Sequence, residues 1–197
     1  MNSATMDIVT LGPAGTFSEL AAQDLIKNKG LTSSISLADD LFSVIERVTP
    51  GTLGLVPIEN LSEGFVSPVV DHLVRHPLQI IAETKLPVAF KIVANHDSPE
   101  HLWAQFVAAG QCRQCIQSMS LPVIHTNSNS DSLYKLLRCK SPAAAIVPAH
   151  IDCPASLKVL HKTAADIDHN ETRFILLSAS QANANYEANI KWKSSVI

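Results

Sequence analysis

What most constrains this chain is its rhythm: short β-rich apolar runs alternate with stretches of helical spacing along its length. The run D-I-V-T-L at 7–11 reads as a strand and leads into the tight loop Gly12-Pro13-Ala14-Gly15. Residues 16–27 then carry Phe17, Leu20, Ala21, Leu25 and Ile26 at helical spacing. A short strand at 34–37, a helix at 39–48, a buried strand at 51–58 and a helix at 68–75 follow. Residues 78–95 read as one long extended stretch broken at Lys85-Leu86-Pro87. Proline has no N–H for a central ladder, so two extended segments joined at a crossing point are expected there. In the second half, Ser98 as N-cap with Pro99 at the first helical position opens a helix expected over 99–119. A strand at 122–126, a helix at 130–139, a buried strand at 143–148 and strands at 159–164 and 173–178 complete the pattern; the tail from 181 is polar and weakly patterned. Strands alternating with helices of this length predict βαβ units and a parallel or mixed sheet. The break near 84–90 predicts two α/β lobes with a cleft between them: 1–84 plus about 165–197 in the first, 85–164 in the second.

Composition narrows the function classes. With 46% hydrophobic and 17% charged residues in 197, the chain is not a disordered one. Its longest apolar runs, 55–58 and 143–149, fall far short of the ~20 residues a membrane span needs, so no membrane partner is expected. The formal net charge is −3, and Lys85, Lys91, Arg113, Lys135, Arg138 and Lys140 are scattered rather than gathered into a basic stripe, which argues against nucleic acid. The first seven residues have neither a basic n-region nor an apolar h-region, so a cytoplasmic protein is expected. Cys112 and Cys115 form a C-x-x-C pair, but no second pair or H-x-x-x-H completes a zinc site, and the pair falls late in a helical stretch. Ordinary thiols are expected, and no metal or organic cofactor.

Three motifs can carry chemistry. L-G-P-A-G-T-F-S-E, at 11–19, leaves a strand and enters a helix, where free backbone N–H groups can bind an anion and Thr16 and Ser18 add hydroxyls. It is neither G-x-G-x-x-G nor a phosphate loop, so no nucleotide is implied. L-V-P-I-E-N, at 55–60, delivers Glu59 and Asn60 at the carboxyl end of a strand, followed by the turn residues Leu61-Ser62-Glu63-Gly64. D-H-N-E-T-R-F, at 168–174, places Thr172 and Arg173 at the start of a strand: a hydroxyl that donates and accepts, and a guanidinium fork suited to a carboxylate. Taken singly, each motif is equally at home as a capped helix, a turn or a surface ion pair.

In this order and spacing, L-G-P-x-G-T-F-S-E, V-P-I-E-N and N-x-T-R-F resemble the prephenate dehydratase family over about residues 7–180. The resemblance implies two α/β lobes like a small periplasmic-binding-protein type II fold, with the active site in the cleft. It implies an acid role for Thr172, with Glu59 and Asn60 beside it. It places Thr16, Ser18, Arg173 and Phe174, and Ser128 and Ser130 of the second lobe, in or near the substrate site. The substrate would be prephenate, a dianion whose two carboxylates call for cationic or N–H donors at two places; Arg173 and the helix start at 15–18 are the candidates. A homodimer is a possible assembly.

The departures from the family pattern matter as much. Counting back from Gln114-Cys115, the family's Ser-His-Pro-Gln segment is here Val107-Ala108-Ala109-Gly110. The Glu-Asn-Ser (or Thr) triplet is here Glu59-Asn60-Leu61, one hydroxyl short. The sequence stops about where the first strand of the family's phenylalanine-binding ACT domain would begin, so an ACT-less member free of phenylalanine control is expected. These departures favour a lyase resembling the non-aromatising prephenate decarboxylases of secondary-metabolite biosynthesis, which remove CO2 and leave a dihydro-4-hydroxyphenylpyruvate. Thr172 favours the alternative, a dehydratase giving phenylpyruvate. A non-catalytic prephenate-binding protein is the second alternative.

Overall fold

The computed structural model describes residues 6–75 and 78–179. It falls into two compact units, one running to Leu86 and resuming at Thr172, the other formed by Pro87–Glu171. Each unit is an α/β body built on its own mixed sheet, as the alternation predicts.

The first unit contains β1 (Met6–Leu11), α1 (Phe17–Lys29), β2 (Ser33–Ala38), α2 (Leu41–Glu46), β3 (Thr52–Asn60), the two-residue β4 (Gly64–Phe65), α3 (Ser67–Arg75) and β5 (Leu78–Pro87). The chain then forms the second unit, and β11 (Glu171–Ala179) returns to the first sheet. The sheet order is β2-β1-β3-β11-β5, with β4 paired to the end of β3. β1 lies parallel to β2 and β3, and β11 antiparallel to β3. The central strands are apolar at successive positions because both their faces are covered. On one face Ile8, Leu53, Leu55, Phe174 and Leu176 pack with Ala21, Ala22 and Leu25 of α1. On the other, Val9, Val56, Ile175 and Leu177 pack with Val44 and Ile45 of α2 and Val69 of α3. Each large aliphatic or aromatic side chain buried here contributes roughly 1.5–3 kcal/mol. Gly54 makes room for the residue two positions beyond α2: a Cβ there would lie 2.6 Å from Val48 Cγ2.

The second unit holds β6 (Phe90–Ala94), β7 (Leu102–Gln105), α4 (Phe106–Gln111), α5 (Arg113–Met119), β8 (Val123–Thr126), α6 (Asn129–Arg138), β9 (Ala144–Pro148) and β10 (Lys158–His161). Its sheet order is β10-β6-β9-β7-β8. α6 covers one face, where Leu136 meets Val93, Ala145 and Val147.

One element differs from expectation. The helix expected over 99–119 is a strand, β7, followed by two short helices, α4 and α5. Leu102 and Ala104 are fully buried, and β7 pairs in parallel with both β8 and β9. A four-residue apolar run reads equally as strand or helix, and the sheet partners decide. Ser98 therefore caps no helix; Gln105 caps α4 by accepting the N–H of Ala108 at 3.1 Å. The polar tail from 181 lies outside the described residues.

Candidate active site

Two motifs separated by more than a hundred residues meet as cross-strand neighbours. β3 and β11 pair so that Asn60 stands opposite Thr172 and Glu59 opposite Arg173, with a register shift just after Arg173. Asn60 Nδ2 donates to Thr172 Oγ1 at 2.7 Å, and both residues are buried.

The orientation of the Asn60 amide follows from its other partners. Its Oδ1 accepts from Ser62 N at 3.0 Å, Ser62 Oγ at 2.7 Å and Glu63 N at 3.2 Å. Backbone N–H groups only donate, so the oxygen must face the turn and the NH2 must face Thr172. Thr172 therefore receives a hydrogen bond from Asn60, and its own proton is left to donate elsewhere. A donor on its oxygen also stabilises any negative charge that develops there, which sharpens the hydroxyl as a proton donor.

Alternation along β11 sets Thr172 on the side of Phe174 and Leu176, which pack with α1, and Arg173 on the side of Ile175, which packs with α2 and α3. Arg173 Nε lies 3.9 Å from Glu59 Oε2, too far for a hydrogen bond, and this buried nitrogen has no hydrogen-bond partner. Phe174 does not join these side chains. Its ring is 1% exposed, inside the core.

The start of α1 is shaped by its own sequence. Gly15, at φ +82°, turns the chain into the helix. The Thr16 hydroxyl caps it, donating to Leu11 O at 3.0 Å and accepting from Glu19 N at 3.3 Å. Gly15 N donates to Glu19 Oε2 at 2.6 Å. The motif suggests N–H groups open to an anion, but at Gly15 the chain's own carboxylate occupies the donor. Ser18 is buried in the first turn of α1.

In the second unit Ser128 caps α6, its Oγ accepting from Asp131 N at 3.0 Å, and Ser130 is half-buried in the first turn. Cys112 is buried between α4 and α5, its thiol pushed up to about 12 by burial, with Asp166 and Cys115 adding to the effect. Burial also raises Cys115, so neither behaves as a reactive thiolate. Among the described residues no cluster of three or more His, Cys, Asp or Glu side chains could hold a metal ion, and no helix is long and apolar enough to cross a membrane.

Three groups escaped the sequence reading. Ser62 reads as a turn residue yet bonds to Asn60; the signal is the Asn-x-Ser spacing, which favours an Asn side chain accepting from the backbone two residues on. Asp166 caps α5, accepting from Arg113 N at 2.8 Å and Gln114 N at 3.0 Å. Asn170 is buried and donates to Gln111 Oε1 at 3.1 Å. The last two depend on long-range contacts that no local pattern reveals.

The relatives of this chain agree with its motifs. The profile of the family described as prephenate dehydratase matches residues 8–182. A bifunctional chorismate mutase/prephenate dehydratase of Pseudomonas aeruginosa is 26% identical over 180 residues, covering 87% of this chain and 48% of the relative. A prephenate dehydratase of Bacillus subtilis is 28% identical over 202 residues, covering 96% of this chain and 69% of the relative. The chain thus spans about half of the first relative's length and about two thirds of the second's. Among solved structures, a prephenate dehydratase of Arthrobacter aurescens in complex with L-Phe superposes with a TM-score of 0.74 at 28% identity, covering 88% of this chain and 60% of that one. With its profile match running nearly end to end and its fold shared, the chain belongs to the prephenate dehydratase family.

Proposed function

We propose that this chain is a lyase acting on prephenate with loss of CO2, and that it expels the 4-hydroxyl in the same step to give phenylpyruvate. The observation that carries this reading is the Asn60–Thr172 hydrogen bond, in which Thr172 accepts and so keeps its own proton to donate. In the reaction the bond from C1 to the ring carboxylate breaks and CO2 departs. The electron pair enters the ring, the C4–O bond breaks, and the departing hydroxyl takes a proton to leave as water. Thr172 donates to that oxygen as it departs, and Asn60 holds Thr172 in place. The named relatives are prephenate dehydratases, which fits this outcome better than the non-aromatising one.

Glu59, Thr16, Ser18 and Arg173, all of the first unit, are the further residues proposed for the site. Arg173 is assigned to a substrate carboxylate, supported by an Nε that makes no hydrogen bond and only a 3.9 Å ion pair with Glu59. No cofactor is required for this chemistry.

A second reading has its own observation. Where the family resemblance expects Ser-His-Pro-Gln, the chain has Val107-Ala108-Ala109-Gly110, in α4. A site without those polar groups suits a non-aromatising decarboxylase, which keeps the 4-hydroxyl and protonates a ring carbon. The two products differ in their ring protons, so proton NMR of a prephenate incubation at neutral pH separates them. Phenylpyruvate supports the dehydratase and a dihydro-4-hydroxyphenylpyruvate the decarboxylase. Unchanged prephenate that nevertheless raises the melting temperature points to a binding protein.

A further inference from the structure

Resting on the proposed reaction, we propose that Ser62 is a positioning residue, whose hydroxyl helps hold the Asn60 amide with its NH2 toward Thr172. Position 61, where the family resemblance calls for a hydroxyl, holds a leucine that is 66% exposed. The hydroxyl one residue later is turned inward: Ser62 Oγ lies 2.7 Å from Asn60 Oδ1 and 3.5 Å from Glu63 Oε1. Its single proton goes to the shorter contact, on the amide. Asn60 Oδ1 then holds three donors while its Nδ2 bonds to Thr172. Each donor on the amide oxygen draws electron density from the nitrogen and strengthens the hydrogen bond that the NH2 donates. Ser62 thereby acts on Thr172 through Asn60, without needing to touch substrate.

Two independent readouts test this. In a 15N-correlated NMR spectrum, the Asn60 side-chain NH2 signals are assigned by their loss in Asn60→Asp. Ser62→Ala is expected to move them, and Ser62→Thr, which keeps the hydroxyl, to leave them close to wild type. With prephenate, Ser62→Ala is expected to lower kcat roughly fivefold, the effect of losing one neutral hydrogen bond, with KM changed less than twofold. Ser62→Thr should restore most of the rate. NH2 signals that stay put in Ser62→Ala overturn the proposal, and so does an unchanged kcat in that variant. If the wild-type chain does not turn over prephenate, the reaction assigned above falls, while the NH2 signals still decide the role of Ser62.

Discussion

Replacing Asn60 with aspartate exchanges one atom and reverses a hydrogen bond. The carboxylate can still accept from Ser62 and Glu63, but it cannot donate to Thr172, which must then give its own proton to residue 60. Asn60→Asp is therefore expected to lower kcat at least tenfold while the protein stays folded, as measured by steady-state kinetics beside a thermal melt. Thr172→Val removes the donor outright, and a loss on the order of a hundredfold in kcat with little change in KM is expected. Arg173 should behave differently. If it holds a carboxylate equally in ground and transition states, Arg173→Ala raises KM roughly tenfold, the effect of one charge-assisted hydrogen bond, and leaves kcat nearly alone. These residues were legible in the sequence because strand ends carrying Glu-Asn and Thr-Arg stand out against apolar runs. Their pairing across the sheet was not, because register is set by contacts more than a hundred positions apart. The engagement of Thr16 and Glu19 at the start of α1 was half legible: the spacing announces a cap, but not that the carboxylate occupies the Gly15 N–H.

At the scale of elements, β3 and the segment that follows α2 are fitted to each other at one glycine. Gly54→Ala drives a methyl to 2.6 Å from Val48 Cγ2, and overpacking of this kind costs roughly 1–3 kcal/mol. Urea unfolding should show that loss, and adding Val48→Ala should recover part of it, so that the double variant is more stable than the sum of the single effects. The α4–α5 junction carries a pH signature. The Cys112 thiol titrates near 8.5 in the unfolded chain and at about 12 in the native one. Between those values the unfolded state gives up a proton that the native state keeps, so stability is full below pH ~8.5 and falls as pH rises toward 12. The fall is at most about 1.4 kcal/mol per pH unit for one group. Unfolding curves at pH 8 and pH 10 should therefore converge in Cys112→Ala relative to wild type. This junction is also the part of the fold least legible in the sequence, whose local pattern suggests one helix where β7, α4 and α5 stand. Strand β7 has only four residues, and its identity comes from β8 and β9 on either side.

For the molecule as a whole, both α/β units and their mixed sheets follow from the alternation of apolar runs, and the family follows from three motifs whose order is more specific than any one of them. The chemical outcome is finer than either. It depends on whether the Thr172 proton meets a departing hydroxyl, and the altered segment in α4 pulls the expectation the other way from the Asn60–Thr172 pair. The most direct test is therefore the product. Incubated with prephenate at neutral pH and followed by proton NMR, the wild-type protein should convert it to phenylpyruvate with five aromatic ring protons, and Thr172→Val should do so far more slowly. A ring that keeps its 4-hydroxyl and loses only CO2, or prephenate that persists as it does without protein, would contradict that account.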